Sequence, residues 1–309
     1  MSNPVVVAIS DHHRRSLSLS RGPAGLAWLA ELPRLVAECA RRWSLRVEAP
    51  FPGLWHNYVA PAVCADGRPA VLKLAPPGDR EFHTEVAALE QFDGAGCARV
   101  YAVDRERRAV LIERLLPGTP LLALEDDERM TAVAADVMRQ LWRPVPADHP
   151  FPTVAYWGSG FQRLLRARFD GTTGPLPEAL VSRAEVSFAE LLGSMDEPVL
   201  LHGDLHHENI LRAERQPWLA IDPKGVVGEP AYEVGALLRN ALPERASPAE
   251  LTRLQRRRIA QLAELLGFDA QRLRAWGFAQ AVLSAVWSID DGGDGQASVA
   301  CAESLSYGP

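Results

Sequence analysis

His202-Gly203-Asp204-Leu205-His206-His207-Glu208-Asn209-Ile210-Leu211, followed by Ala220-Ile221-Asp222, sets one carboxamide and two carboxylates at a spacing that suits phosphoryl transfer. Asp204 and Asn209 lie five positions apart, enough for a short loop that turns both side chains into one cavity before a strand begins at Ile210. A polar turn from Ala213 to Pro217 follows, and Trp218-Leu219-Ala220-Ile221 returns as a second apolar strand whose end delivers Asp222 beside Asn209. Asn209 and Asp222 offer hard oxygen ligands, which suit Mg²⁺ that keeps waters and nucleotide phosphates in its shell. Asp204 is left to receive the proton of an acceptor hydroxyl. The protein-kinase signature has the same order of parts, with His-Arg-Asp in place of His-Gly-Asp and Asp-Phe-Gly in place of Asp222-Pro223-Lys224-Gly225.

Lysine usage gives an independent pointer. Of 33 Lys plus Arg only Lys73 and Lys224 are lysine. Lys73 sits in the apolar run Ala70-Val71-Leu72-Lys73-Leu74, where an ammonium is an odd inward choice unless it meets an anion such as phosphate. An edge-strand lysine turned to solvent is the plainer alternative. Behind it a helix over about 80–92 carries Phe82, Val86, Leu89 and Phe92 as its apolar stripe, with Glu81 and Glu85 four apart on one face. Glu85, nearer the middle of the helix, is the preferred partner for Lys73. Lys224 is equally compatible with a phosphate contact and with a solvated loop.

At 309 residues, 47% hydrophobic and 23% charged, the chain is long enough to bury a substantial core in one large or two coupled units. A net charge of −6 and the lack of a Lys/Arg block interleaved with aromatics speak against nucleic acid as a partner, and weakly for a cationic one. The four cysteines show no CxxC spacing and read as isolated thiols of a reducing compartment. No run approaches the length of a membrane span, so no membrane partner and a cytoplasmic location are expected.

A coarse pass along the chain divides it. Residues 1–24 carry little pattern and are expected to be disordered in part; 25–114 read as a small sheet-plus-helix lobe that binds nucleotide. Within it an amphipathic helix spans 26–43, a hairpin turns at Asp66-Gly67, and a strand pair covers 100–103 and 110–113. Leu115-Leu116-Pro117-Gly118 then interrupts the last strand, and 115–119 reads as a hinge whose backbone, with Glu113 and Leu115, meets the adenine edge. Residues 120–309 form a larger lobe for catalysis and acceptor binding, with helices expected over 128–142, 160–169, 178–192, 248–266 and 270–287.

The chain resembles the aminoglycoside phosphotransferase family of the protein-kinase-like fold, and within it the streptomycin 6-kinase and hydroxyurea phosphotransferase branch. The residues that carry the resemblance are 201–211 and 218–223, with Trp28-Leu29-Ala30-Glu31-Leu32-Pro33, Leu72-Lys73-Leu74 and Trp287-Ser288-Ile289-Asp290-Asp291-Gly292 as further patches. It implies an α+β, bilobal fold and a kinase of a small hydroxylated acceptor, with Asp204 as catalytic base, Asn209 and Asp222 on Mg²⁺, and Lys73 with Glu85 at the phosphates of ATP. ATP is the expected co-substrate, and the hinge sequence does not discriminate against GTP. Streptomycin is the first acceptor it suggests, with hydroxyurea or another small metabolite as the alternative. A streptomycin-like acceptor carries guanidinium groups that need carboxylates, and Glu229, Asp290 and Asp291 are candidates, with His207 as a candidate lining residue. His202 is expected to anchor the loop rather than move protons, and Glu233 to brace it.

Two departures bear on the reading. Nothing between Phe51 and Val63 spells a Gly-rich phosphate loop, and only 11 positions separate Asp222 from Glu233, too few for a regulatory activation loop. The latter favours a small substrate over a protein one. A metal-dependent hydrolase is disfavoured because no histidine follows His207 to complete a two-metal site, and a silent kinase-like module because Lys73, Asp204, Asn209 and Asp222 are all kept. No Walker-type phosphate loop occurs.

Overall fold

The computed structural model describes residues 7, 9–243 and 245–306. The chain divides into two compact units, 1–118 and 119–309. The first opens with α1 (Asp11–Arg42), capped by Ser10, whose hydroxyl accepts the His13 N–H at 3.1 Å. This corrects the expectation of a patternless start: residues 11–24 are helical, and the remaining part of that expectation falls on residues 1–6 and 8, outside the described ones. The pattern is hard to see because Gly22, at φ 56° and ψ −139°, breaks the helical run just before Pro23, so two helical pieces with different faces follow one another.

Five antiparallel strands follow: β1 (Arg46–Val47), β2 (Tyr58–Val63), β3 (Pro69–Leu74), β4 (Val100–Asp104) and β5 (Ala109–Glu113), in the order β1-β2-β3-β5-β4. Between β3 and β4 runs α2 (Glu81–Phe92), closed by Asp93 in the left-handed region. The two-residue period of a strand decides which side chains see what. Ala70, Leu72 and Leu74 of β3 pack into a core with Leu29, Leu32 and Val36 of α1, which turns Lys73 to the opposite face. β3 is the middle strand, so the edge-lysine alternative does not hold. The chain passes from the first unit to the second inside β6 (Pro117–Pro120), after a cis Leu116–Pro117 peptide.

The second unit is mainly helical: α3 (Asp127–Leu141), α4 (Val154–Gly158), α5 (Glu178–Gly193), α6 (Val234–Arg239), α7 (Pro248–Leu266), α8 (Ala270–Asp290) and α9 (Gln296–Ser306). The segment expected as a helix over 160–169 is a wide π-type turn, Phe161–Arg166. Two small antiparallel strand pairs lie among the helices: β7 (Val199–Leu201) with β10 (Val226–Gly228), and between them in sequence the hairpin of β8 (Ile210–Ala213) with β9 (Trp218–Ala220). α7 starts where the sequence says it should, because Ser247 and Glu250 form a capping box ahead of Pro248. Arg258 of α7 is fully buried and ties three elements together: it chelates Asp127 of α3 at 2.6 and 3.1 Å and donates to the carbonyls of Leu237 and Asn240 at the end of α6.

Candidate active site

Register places the key loop. Leu201 pairs with Val226, so the residues leaving β7 and those entering β10 are adjacent; Ile210 pairs with Ala220, so Asn209 and Ile221 are adjacent as well. The loops 202–209 and 221–225 therefore face each other and are laced by backbone bonds. Lys224 and Gly225 donate to the His202 carbonyl at 2.8 and 3.2 Å, and Ile221 donates to the Asn209 carbonyl at 2.9 Å. The His202 ring joins the same seam: Nε2 donates to the Ile221 carbonyl at 2.8 Å, while Nδ1 accepts the Asp204 N–H at 3.2 Å. Burial pushes this imidazole down to about 4, so it stays neutral and serves as a fastener.

Asp204, Asn209 and Asp222 are thus brought to one place in the second unit. Asn209 Nδ2 donates to the Asp204 carbonyl at 3.0 Å, which leaves Oδ1 as the oxygen to offer a cation. Asp222 adopts φ 61°, a left-handed conformation rare outside glycine and tolerated best by Asp and Asn, at the point where the chain turns from β9 towards Lys224. An amide oxygen and a carboxylate form an incomplete, hard set that fits Mg²⁺ sharing phosphate oxygens and waters. Among the described residues no group of three or more His, Cys, Asp or Glu side chains could hold a metal ion by itself.

Gly203 is required here on two counts. Its φ is +84°, and a Cβ would lie 2.7 Å from the Trp157 ring and 2.9 Å from Val226. Below the loop Glu233 accepts the N–H groups of His202 and Gly203 at 2.7 and 2.9 Å, and burial pushes its carboxyl up to about 7 despite these donors. For Asp204 burial alone would raise the pKa. Arg239, then His206 and Lys224, outweigh it and hold the carboxyl below its ordinary value. Arg239 Nη2 donates to Asp204 Oδ1 at 2.7 Å. No local motif signalled this residue, which lies 35 positions downstream on α6.

In the first unit Lys73 Nζ donates to Glu85 Oε1 at 2.7 Å, with both side chains more than nine-tenths buried. Glu113 ends β5, its N–H donating to the Arg99 carbonyl at 2.8 Å and its carboxylate accepting the Arg99 N–H at 3.1 Å. Leu115 is buried, and Gly118 folds back so closely that a Cβ there would meet the Leu115 carbonyl oxygen at 2.8 Å.

Two candidate acceptor residues are corrected. Glu229 is 1% exposed and already chelated by Arg272 at 2.7 and 2.6 Å, with the Trp276 indole and the Asp196 N–H on the same carboxylate. It binds together the second unit and is closed to a ligand. His207 is 1% exposed, its ring nitrogens have no hydrogen-bond partner among the described residues, and burial pushes it down to about 3. It packs in the interior instead of lining a pocket. Asp290 and Asp291, by contrast, lie exposed at the end of α8, Asp290 with Arg168 at 3.8 Å.

Comparison with known proteins adds an independent line. The family model described as aminoglycoside/hydroxyurea antibiotic resistance kinase matches residues 42–292. Streptomycin 6-kinase of Streptomyces griseus is 32% identical over 292 residues, covering 94% of each chain. Hydroxyurea phosphotransferase of Kitasatospora aureofaciens is 34% identical over 277 residues, covering 88% of this chain and 77% of its own. Among solved structures, choline kinase LicA from Streptococcus pneumoniae superposes with a TM-score of 0.64 at 14% identity, covering 90% of this chain and all of that one, a likeness of fold alone.

Proposed function

Since the chain belongs to the family of aminoglycoside/hydroxyurea antibiotic resistance kinases, we propose that it transfers the γ-phosphoryl group of ATP to a hydroxyl of a small cationic acceptor, with the 6-hydroxyl of streptomycin as first candidate. The reading rests on one observation: the meeting of Asp204, Asn209 and the Ile221–Asp222 turn at the ends of two antiparallel strand pairs. In the proposed reaction the acceptor oxygen forms a bond to the γ-phosphorus as the bond to the β,γ-bridging oxygen breaks and its electron pair leaves with ADP. Asp204 orients the hydroxyl and takes its proton late, in keeping with a loose transition state in which positioning and electrostatics supply most of the acceleration. Asn209 and Asp222 would hold Mg²⁺, which when bound would supply neutralising charge to the phosphates. Lys73, kept upright by Glu85, binds phosphate oxygens; Glu113 and Leu115 flank the adenine edge at a hinge over 115–119. Asp290 and Asp291, exposed at the end of α8, are the carboxylates proposed to meet an acceptor's cations. Such an enzyme works where ATP is, in the cytoplasm.

ATP consumption measured against streptomycin, other aminoglycosides, hydroxyurea and hydroxylated metabolites tests this, with mass spectrometry of the product and NMR to locate the phosphate. Phosphate on the 6-hydroxyl of streptomycin is the expected result. Transfer to hydroxyurea alone would favour the second reading, which the 34% identical phosphotransferase supports. ATP turnover no faster with any acceptor than without would sink both.

A further inference from the structure

Asp204 stands in the proposed site with one of its two carboxylate oxygens already held. The Arg239 and Asp204 side chains are 11% and 22% exposed, so their 2.7 Å contact is largely shielded from water. The guanidinium is also gripped from behind. Its Nη1 donates to Gln280 Oε1 at 3.1 Å, and buried Gln280 donates in turn to the Tyr232 carbonyl. Gly235 makes the room for this brace, since a Cβ there would lie 2.3 Å from the Gln280 amide. The planar fork of a guanidinium can span a carboxylate on one side and an amide on the other, which the point charge of an ammonium cannot. Asp204 Oδ2 differs from its twin: His206 Nε2 is 3.9 Å away, beyond hydrogen-bond reach.

We propose that Arg239, braced by Gln280, is a positioning residue for phosphoryl transfer: it anchors Asp204 Oδ1 and thereby presents Oδ2 to the acceptor hydroxyl. The proposal rests on the reading of the chain as a small-molecule kinase. As the acceptor oxygen bonds to the γ-phosphorus and the β,γ-bridging oxygen departs with ADP, the hydroxyl proton passes to Oδ2. A carboxylate anchored at one oxygen keeps the other in the line of the reacting hydroxyl. Without the anchor it turns about χ2, and the reactive geometry is populated less often.

The test compares the full-length wild type with Arg239→Ala, Arg239→Lys and Gln280→Met, using Mg-ATP with streptomycin and, separately, ADP release with water as the only acceptor. Loss of the anchor is expected to lower kcat about 100-fold while leaving the KM for ATP unchanged. Added methylguanidinium should restore part of the Arg239→Ala rate, and methylammonium should not. Arg239→Lys should remain well below wild type, and Gln280→Met should fall in the same direction by about tenfold. An Arg239→Ala enzyme within about twofold of wild-type kcat overturns the proposal, as does a loss that methylguanidinium leaves untouched while the melting temperature drops. If Arg239→Ala does not fold, a wild-type kcat in both other variants overturns it equally. A wild type that phosphorylates no acceptor defeats the kinase reading instead; the anchor is then judged by the same rescue on ADP release to water.

Discussion

Asp204 and Asn209 are tied by a bond from the Asn209 amide to the Asp204 carbonyl, so the group proposed as base and the group proposed as metal ligand share one small frame. Removing only the carboxylate should spare that frame, because the carbonyl is backbone. Asp204→Ala is therefore expected to lower kcat by about 10²- to 10⁴-fold while calorimetry finds ATP binding unchanged; equal loss of both would contradict the assigned role. The pairing of Asp204 with Asn209 was legible in the sequence because it depends on a loop of five positions and the strand that follows. Glu85 as the Lys73 partner was legible for a similar reason, since helical spacing put Glu81 and Glu85 on one face and the acid nearer the middle of the helix lies deeper against the core. Arg239 and Gln280 were not. Arg239 reaches the loop from a helix 35 positions away and Gln280 reaches Arg239 from 41 positions further on, and nothing in a helix with ordinary composition marks which side chain will cross such a gap. Glu229 misled for the opposite reason: an acid in a loop looks solvated until the arginine and indole that enclose it arrive from α8.

At the scale of elements the legible parts are those with their own end signals. α7 has its capping box and α2 its apolar stripe, whereas β7, β10, α4 and α6 are three to six residues long and too short to show a period. α9 follows a Gly-rich turn and carries only a modest apolar face, and residues 11–24 are masked by serine, arginine and the Gly22-Pro23 break. Two contacts between elements carry predictions. Arg258→Met keeps most of the buried volume but strands the Asp127 carboxylate, and should cost about 3–5 kcal/mol, read by denaturant unfolding. Asp127 keeps Arg257 at 2.7 Å, which sets the loss towards the lower end. Glu233 makes the packing of the 202–209 loop on the 230–233 turn depend on pH. Its carboxyl rises from 4.5 to about 7 on folding, so both states are protonated below 4.5, and between 4.5 and 7 only the unfolded chain gives up the proton. Its contribution to stability thus falls as pH rises through that window, by up to about 3 kcal/mol. Glu233→Gln should flatten this part of the stability curve, which melting at pH 5 and pH 8 would reveal; an unchanged slope would remove Glu233 as its source.

Across the molecule, the two compact units carry different parts of the proposed chemistry, the lysine–glutamate pair in residues 1–118 and the oxygen ligands in 119–309. No described helix is long and apolar enough to cross a membrane. In the proposed reaction substrate phosphates would complete the shell of a Mg²⁺ at Asn209 and Asp222, so EDTA should leave the melting temperature of the free protein unchanged and abolish phosphoryl transfer until Mg²⁺ is restored. Mg-ATP at about 100 times its Kd should stabilise the chain by about 2.7 kcal/mol, and EDTA should cancel most of that gain. A chain that melts earlier in EDTA alone would point to a structural ion instead. The scarcity of lysine has a practical corollary. With Lys73 interior and paired and Lys224 half-buried beside the loop, reagents that acylate primary amines find only two side chains, so a nucleotide bearing a reactive acyl phosphate would mark its own binding place against an almost silent background.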